Sequence, residues 1–194
     1  MHDEEGLVRL AKKGDSDAFA QLVRLHEKRV YTLALRMAGN PSDAEEVAQE
    51  AFLAAWRGLP AFRMDSSFST WVYRLTSNAC IDFLRREKKR AADVPLCGDG
   101  WDFTLPDDAP GPYEAAERRE LRETIRRGME ALPPEQRQIL ALREFQDLSY
   151  EEIGAVLELE QGTVKSRIAR ARLRLREILT AEGNLFPVQS SKKT

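Results

Sequence analysis

The chain has 194 residues, 42% hydrophobic and 32% charged, with 30 Lys and Arg against 32 Asp and Glu for a net charge of −2. That length holds one large or two small domains. Near-neutrality excludes a generic polycation, so any nucleic-acid binding must come from local patches, with the acids concentrated elsewhere. Two cysteines, Cys80 and Cys97, and two histidines, His2 and His26, in no metal-like spacing, argue against a zinc site. No signal peptide and no apolar run long enough to span a bilayer is present, which predicts a cytoplasmic protein.

In chain order, Glu4 to Lys13 reads as a short helix closed by Gly14. Ser16 is a cap for a helix running to about Ala38, with Phe19, Leu22, Val23, His26, Val30, Ala34 and Met37 on its inner face. His26 therefore reads as a core or boundary residue. Gly39-Asn40-Pro41 is a turn, and Ser42 with Glu45 forms a capping box. The next helix carries Ala44, Val47, Ala48, Ala51, Phe52, Ala55 and Leu59 on one stripe and Asp43, Glu46 and Glu50 on the opposite side, and Pro60 ends it. A loop of AFRMDSS leads into a long helix from about Phe68 to Lys89, packed through Phe68, Trp71, Val72, Leu75 and Ala79 and ending in Arg85, Arg86, Lys88, Lys89 and Arg90. Cys80 on it reads as a small core residue.

Residues 91–117 contain no Lys or Arg, seven acids and a scatter of Gly and Pro. Such composition neither buries a core nor favours helix, and predicts an acidic tether. Trp101 and Phe103 inside it are either docking residues or part of a loosely packed loop. Beyond it, Tyr113 to Leu132 is helical, Pro133-Pro134 restarts a helix, and Ile139, Leu140, Leu142 and Phe145 follow. The tail, 183–194, looks frayed.

Ser149 to Arg176 is the most informative stretch. Ser149 and Glu152 make a capping box before an apolar run, and Gly154 removes bulk where a second helix crosses. Helical periodicity lapses from Glu158 to Gly162 and returns at Thr163. On a wheel, Val164, Ile168, Ala171, Leu175 and Ile178 fall on one side, and Ser166, Ala169, Arg170 and Leu173 on the other. Lys165, Arg172 and Arg176 flank the second side on one edge, Arg167 and Arg174 on the other. Small outward residues between cations suit a helix in the DNA major groove, with base edges beneath it and phosphates on either wall. The competing reading is a solvated basic face.

Two segments together resemble one family. NPSDAEEVAQEAFLAAWRGLPAFRMDSSFSTWVYRLTSNACIDFLRR is similar to region 2 of a bacterial sigma-70 factor, and LPPEQRQILALREFQDLSYEEIGAVLELEQGTVKSRIARARLRLREIL to region 4. Their order, with a bare linker between them, resembles the extracytoplasmic-function group. The resemblance implies an all-α protein of two small domains: region 2 over 1–90, a linker over 91–117, and region 4 over 118–182. It implies a sigma factor that binds core RNA polymerase, on the β′ coiled coil and the β flap, and confers promoter specificity. Asp43, Glu46 and Glu50 would meet the coiled coil. Phe62, Arg63, Ser66, Arg74, Asn78, Arg85, Arg86 and Lys89 would read and hold the −10 element, Phe62 as the loop aromatic for an unstacked base. Thr163, Lys165, Ser166, Arg167, Arg170 and Arg172 would read and hold the −35 element, with Ala169 where some relatives carry an aromatic. An anti-sigma factor, often membrane-bound in this family, is the further partner implied.

The rivals are a stand-alone helix-turn-helix transcriptional regulator, which leaves the acidic helix and aromatic loop unexplained, and an enzyme. No Gly-rich phosphate loop, Ser/His/Asp set or metal cluster is present in the sequence, which predicts neither cofactor nor small-molecule substrate.

Overall fold

The computed structural model describes residues 4–91 and 112–181. The remainder of the linker, with Trp101 and Phe103, and the tail lie outside them. The described residues form α1 (Glu4–Ala11), α2 (Ser16–Ala38), α3 (Pro41–Gly58), a 3-10 turn (Leu59–Ala61), α4 (Phe68–Ala91), α5 (Pro112–Glu130), α6 (Pro134–Leu140), a π-helical turn (Ala141–Phe145), α7 (Tyr150–Leu157) and α8 (Gln161–Ala181). Among them there is no strand, and no helix is long and apolar enough to cross a membrane. The all-α architecture is the expected one.

Two helix caps differ from those the sequence predicts. Asp15, not Ser16, caps α2, its carboxylate accepting from the main-chain N–H of Asp17 and Ala18. Asn40, not Ser42, caps α3, accepting from Asp43 N at 3.0 Å. Pro41 explains the second shift: its fixed φ suits the first helical position, so the cap falls one residue before it and Ser42 is already inside the helix. Helix α5 starts at Pro112, one residue before the expected Tyr113. A proline opening the helix and the Ala115-Ala116 pair outweigh the acidic, turn-rich composition upstream.

Helices α1 to α4 enclose one core. The alanines of α3 (Ala44, Ala51, Ala55) are fully buried, which lets α2 and α4 approach closely, with Leu22, Val30, Leu33, Met37 and Val72 filling the space. Helices α5 to α8 add Met129, Leu132, Ile139, Leu142, Ile153, Val156, Val164 and Ile168, which are continuous with that core. These two units, expected to sit apart on their tether, pack against each other, α6 and α7 on α4 and the π-helical turn on α2. Arg137, only 6% exposed, donates to the carbonyl of Met37 at 2.6 Å and to that of Glu130. Gln146 Nε2 donates to Arg29 O at 3.2 Å, and the Arg36 guanidinium lies 4.1 Å over the Phe145 ring.

Candidate nucleic-acid and polymerase interface

The helix-turn-helix is built as the sequence predicts at its start. Ser149 Oγ accepts from Glu152 N at 3.1 Å, and Glu152 Oε2 accepts from Ser149 N at 2.7 Å. Those donors hold the Glu152 carboxyl below its ordinary pKa. The turn follows from Glu158, in left-handed conformation (φ 55°), with Leu159 N donating to Gly154 O at 2.9 Å. Gly154 serves this turn more than a helix crossing: a Cβ there would stand 2.7 Å from the Leu159 carbonyl oxygen, against 3.9 Å from Val164 Cγ2 of α8.

Val164, Ile168 and Ala171 of α8 are buried, and Leu175 and Ile178 half-buried, as the wheel requires. Leu179, four residues beyond Leu175, joins them. On the outward face Lys165, Ser166, Arg167, Ala169 and Arg170 are exposed, and Leu173 is 57% exposed beside them. Thr163 is half-buried, and its carbonyl accepts the Ser166 hydroxyl at 3.0 Å. Arg172 is exposed but held by Glu144 of the π-helical turn at 2.6 Å.

In the first unit the loop between the 3-10 turn and α4 departs from expectation at Phe62. Its ring is 6% exposed and stacks on Trp71, with centroids 4.5 Å apart and planes at 14°. Phe68 meets Trp71 edge-on at 5.8 Å. Phe62 is therefore a core residue here and offers no free face to a base, because an apolar ring gains more from this stack than from water. Arg63 is exposed and Ser66 half-buried.

Arg74, Asn78, Arg85 and Lys89 recur at helical spacing and share one stripe of α4, interrupted by Asp82, which lies 3.6 Å from Arg85. Arg86 does not belong to it. One residue on from Arg85 it is turned about 100° away, and it grips Glu50 of α3 at 3.2 Å. Glu50, assigned to polymerase docking, and Arg86, assigned to DNA, thus neutralise each other. Asp43 is likewise engaged: the Asn40 side-chain amide donates to its carboxylate. Glu46 stands exposed between them, and Leu53, 46% exposed, continues the stripe one turn further.

The packing of the two units sets the cationic stripe of α4 across a cleft from Arg167 of α8. Arg74, Asn78 and Arg85 of α4 line it with Gln138, Glu158 and Arg167, enclosing about 360 Å³. Arg74 crosses it to Glu158 at 2.7 Å. In this arrangement Arg74, Asn78 and Arg85 face the second unit across the cleft.

Comparison with known proteins agrees with this anatomy. Residues 22–90 match the model of Sigma-70 region 2, and residues 122–175 that of Sigma-70, region 4. The chain is 38% identical over 176 residues to the ECF RNA polymerase sigma factor SigW of Bacillus subtilis, covering 89% of this chain and 94% of that protein. It is 37% identical over 174 residues to the ECF RNA polymerase sigma-E factor of Escherichia coli K12, covering 87% and 90%. Among solved structures it resembles CnrH in complex with the cytosolic domain of CnrY, with a TM-score of 0.66 and 28% identity over 91% of this chain and 97% of that one. The fold of RpoE from Bartonella quintana, solved with the anti-sigma factor NepR, matches with a TM-score of 0.61 at 24% identity, over 85% and 98%. On both its regions and its full-length relatives, the chain belongs to the extracytoplasmic-function group of the sigma-70 family.

Proposed function

We propose that this sigma factor docks on core RNA polymerase through α3, reads the −10 element through α4 and the loop before it, and reads the −35 element through α8. The observation that carries the assignment is the segregation of charge: an acidic stripe on α3 and two separate cationic faces, on α4 and α8, one in each unit. On α3 the working residues are Glu46, Glu50 and Asp43, against the basic β′ coiled coil that the family implies. On α4 they are Arg63, Ser66, Arg74, Asn78, Arg85 and Lys89, with Arg86 free to act only after leaving Glu50. The buried Phe62 supports the loop and does not stack on a base. On α8, Lys165, Ser166 and Arg170 face the bases, and Thr163, Arg167 and Arg172 the backbone. The polymerase performs the chemistry, and this chain contributes specificity. The second unit would meet the β flap.

CnrH was captured with the cytosolic domain of CnrY, and an anti-sigma factor is the partner kind we propose for this chain. A stand-alone regulator is not favoured, because the full-length relatives are sigma factors.

Permanganate footprinting tests the whole reading. Reactive thymines are expected in the −10 region only when promoter, core polymerase and this protein are combined, and they should fade when Arg63 and Asn78 are replaced by alanine. Tight sequence-specific binding without polymerase, and no opening with it, would return the stand-alone regulator.

A narrower expectation concerns α8. Arg170→Ala should cost about 1–3 kcal/mol at the −35 element and relax preference at one base position. Arg172→Ala, on the flank, should weaken all promoters alike. Identical base preferences for wild type and Arg170→Ala in a promoter library would remove Arg170 from the reading face.

A further inference from the structure

The loop from Phe62 to Ser67 contains Met64 with φ 60°, a left-handed conformation that a long side chain adopts only where its surroundings impose it. Helix α1 ends beside this loop. It is buried through Leu7, Val8 and Ala11, and it lies before the residues matched by the region 2 model. Lys12, directly after α1, donates from Nζ to the main-chain carbonyl of Phe62, the residue that opens the loop. At the other end of α1, Glu4 Oε2 lies 3.4 Å from His26 Nε2, and the His26 ring packs 5.3 Å from Phe68, the residue that follows the loop. Burial lowers the His26 pKa, with Glu4 pulling the other way. Glu4 and Lys12 are eight residues apart, about 12 Å along a helix, so this segment meets the start of the loop directly through Lys12 and its far end through His26 of α2.

We propose that α1 is a positioning element for the −10 loop, with Lys12 as its principal residue: by fixing the Phe62 carbonyl it sets the direction in which Arg63 and Ser66 leave the core. This rests on the reading of that loop as part of the −10 reader. The ammonium is suited to the task. A charge-assisted bond to a carbonyl is stronger than a neutral one, and Phe62 cannot turn without also unstacking from Trp71. Lys12 touches no DNA in this scheme and acts through the loop.

The test uses full-length protein with core polymerase. Lys12→Met keeps the apolar stem and removes the donor, and Lys12→Arg restores a donor. Expected for Lys12→Met is strand opening slowed about tenfold, the effect of losing one charge-assisted hydrogen bond, with broadened base preference in the −10 region of a promoter library. Core affinity, −35 preference and helix content should stay unchanged, and Lys12→Arg should recover most of the rate. Arg63→Ala runs beside them. If Arg63→Ala is impaired while Lys12→Met opens promoters at the wild-type rate with unchanged preferences, α1 does not position the loop. If both are silent, the loop is not the −10 reader and the proposal falls with that reading. A Lys12→Met variant that melts earlier, is not rescued by Lys12→Arg and keeps wild-type base preferences also overturns it, since the lysine is then merely structural.

Discussion

Reversing Glu46 and Glu50 to lysine is expected to abolish retention on core RNA polymerase while leaving the helices intact. Both side chains leave α3 opposite its buried face of Ala44, Val47, Ala51 and Ala55, so the reversal opens no cavity and buries no charge. The local cost is the loss of the Arg86–Glu50 pair, whose side chains are 51% and 41% exposed. Exposed pairs of this kind contribute about 0–1 kcal/mol. At a basic docking surface the same change replaces attraction by like-charge contact, costing several kcal/mol, and about 3 kcal/mol already weakens binding more than a hundredfold. Gel filtration with core enzyme reads the association and circular dichroism the fold. Undiminished binding by a folded double variant would reduce the stripe to a solvated face.

Arg137→Ala is expected to loosen the two units from each other. The guanidinium is buried, donates to Met37 O across the interface and to Glu130 O within its own unit, and burial lowers its pKa although the adjacent Glu130 opposes this. Removing it strands the buried Met37 carbonyl and frees the part-buried Glu130 carbonyl, each bond to a charged donor contributing about 1.5–3 kcal/mol, and relieves the cost of burying a cation. A net loss of about 2 kcal/mol would lower Tm by about 4–8 °C in a chain of this size. Fluorophores on cysteines placed at the exposed Leu25 and Leu173 would report the separation, with Cys97 replaced by serine. Cys80 can stay, since it is buried and its thiol is pushed up to about 12. Longer and more dispersed distances are expected in the variant. An unchanged distance distribution with an unchanged Tm would show that Arg137 does not hold the units together.

The sequence announces helix periods and charge faces well, because both depend on residues close in the chain. Ser149 and Glu152 declare their cap without outside help, and α8 divides into buried and outward sides as its period requires. Caps were misplaced where two adjacent residues could each serve, as at Asp15-Ser16, or where a proline decided the position, as at Pro41. Phe62 was misread because a loop aromatic next to Arg63 looks solvent-facing, and its partner Trp71 is brought to it only by the fold. Gly128 is opaque for the same reason: a Cβ there would stand 2.7 Å from Leu179 Cδ2, a side chain far along the chain. Residues 137–142 are buried without interruption, and the ILAL run within them shows no polar face. A helix apolar all round is covered all round, which points to a neighbour beyond its own small unit.

Four cations assigned to DNA already carry a carboxylate: Arg74 with Glu158 at 2.7 Å, Arg85 with Asp82 at 3.6 Å, Arg86 with Glu50 at 3.2 Å and Arg172 with Glu144 at 2.6 Å. Each can reach a phosphate only by exchanging one anion for another. A free cation on DNA releases condensed counterions with a slope near 0.9 per phosphate neutralised. An exchanging cation frees a protein carboxylate that then gathers counterions of its own, so part of that release is returned. The salt dependence of promoter binding should therefore be shallower than a count of phosphate contacts implies.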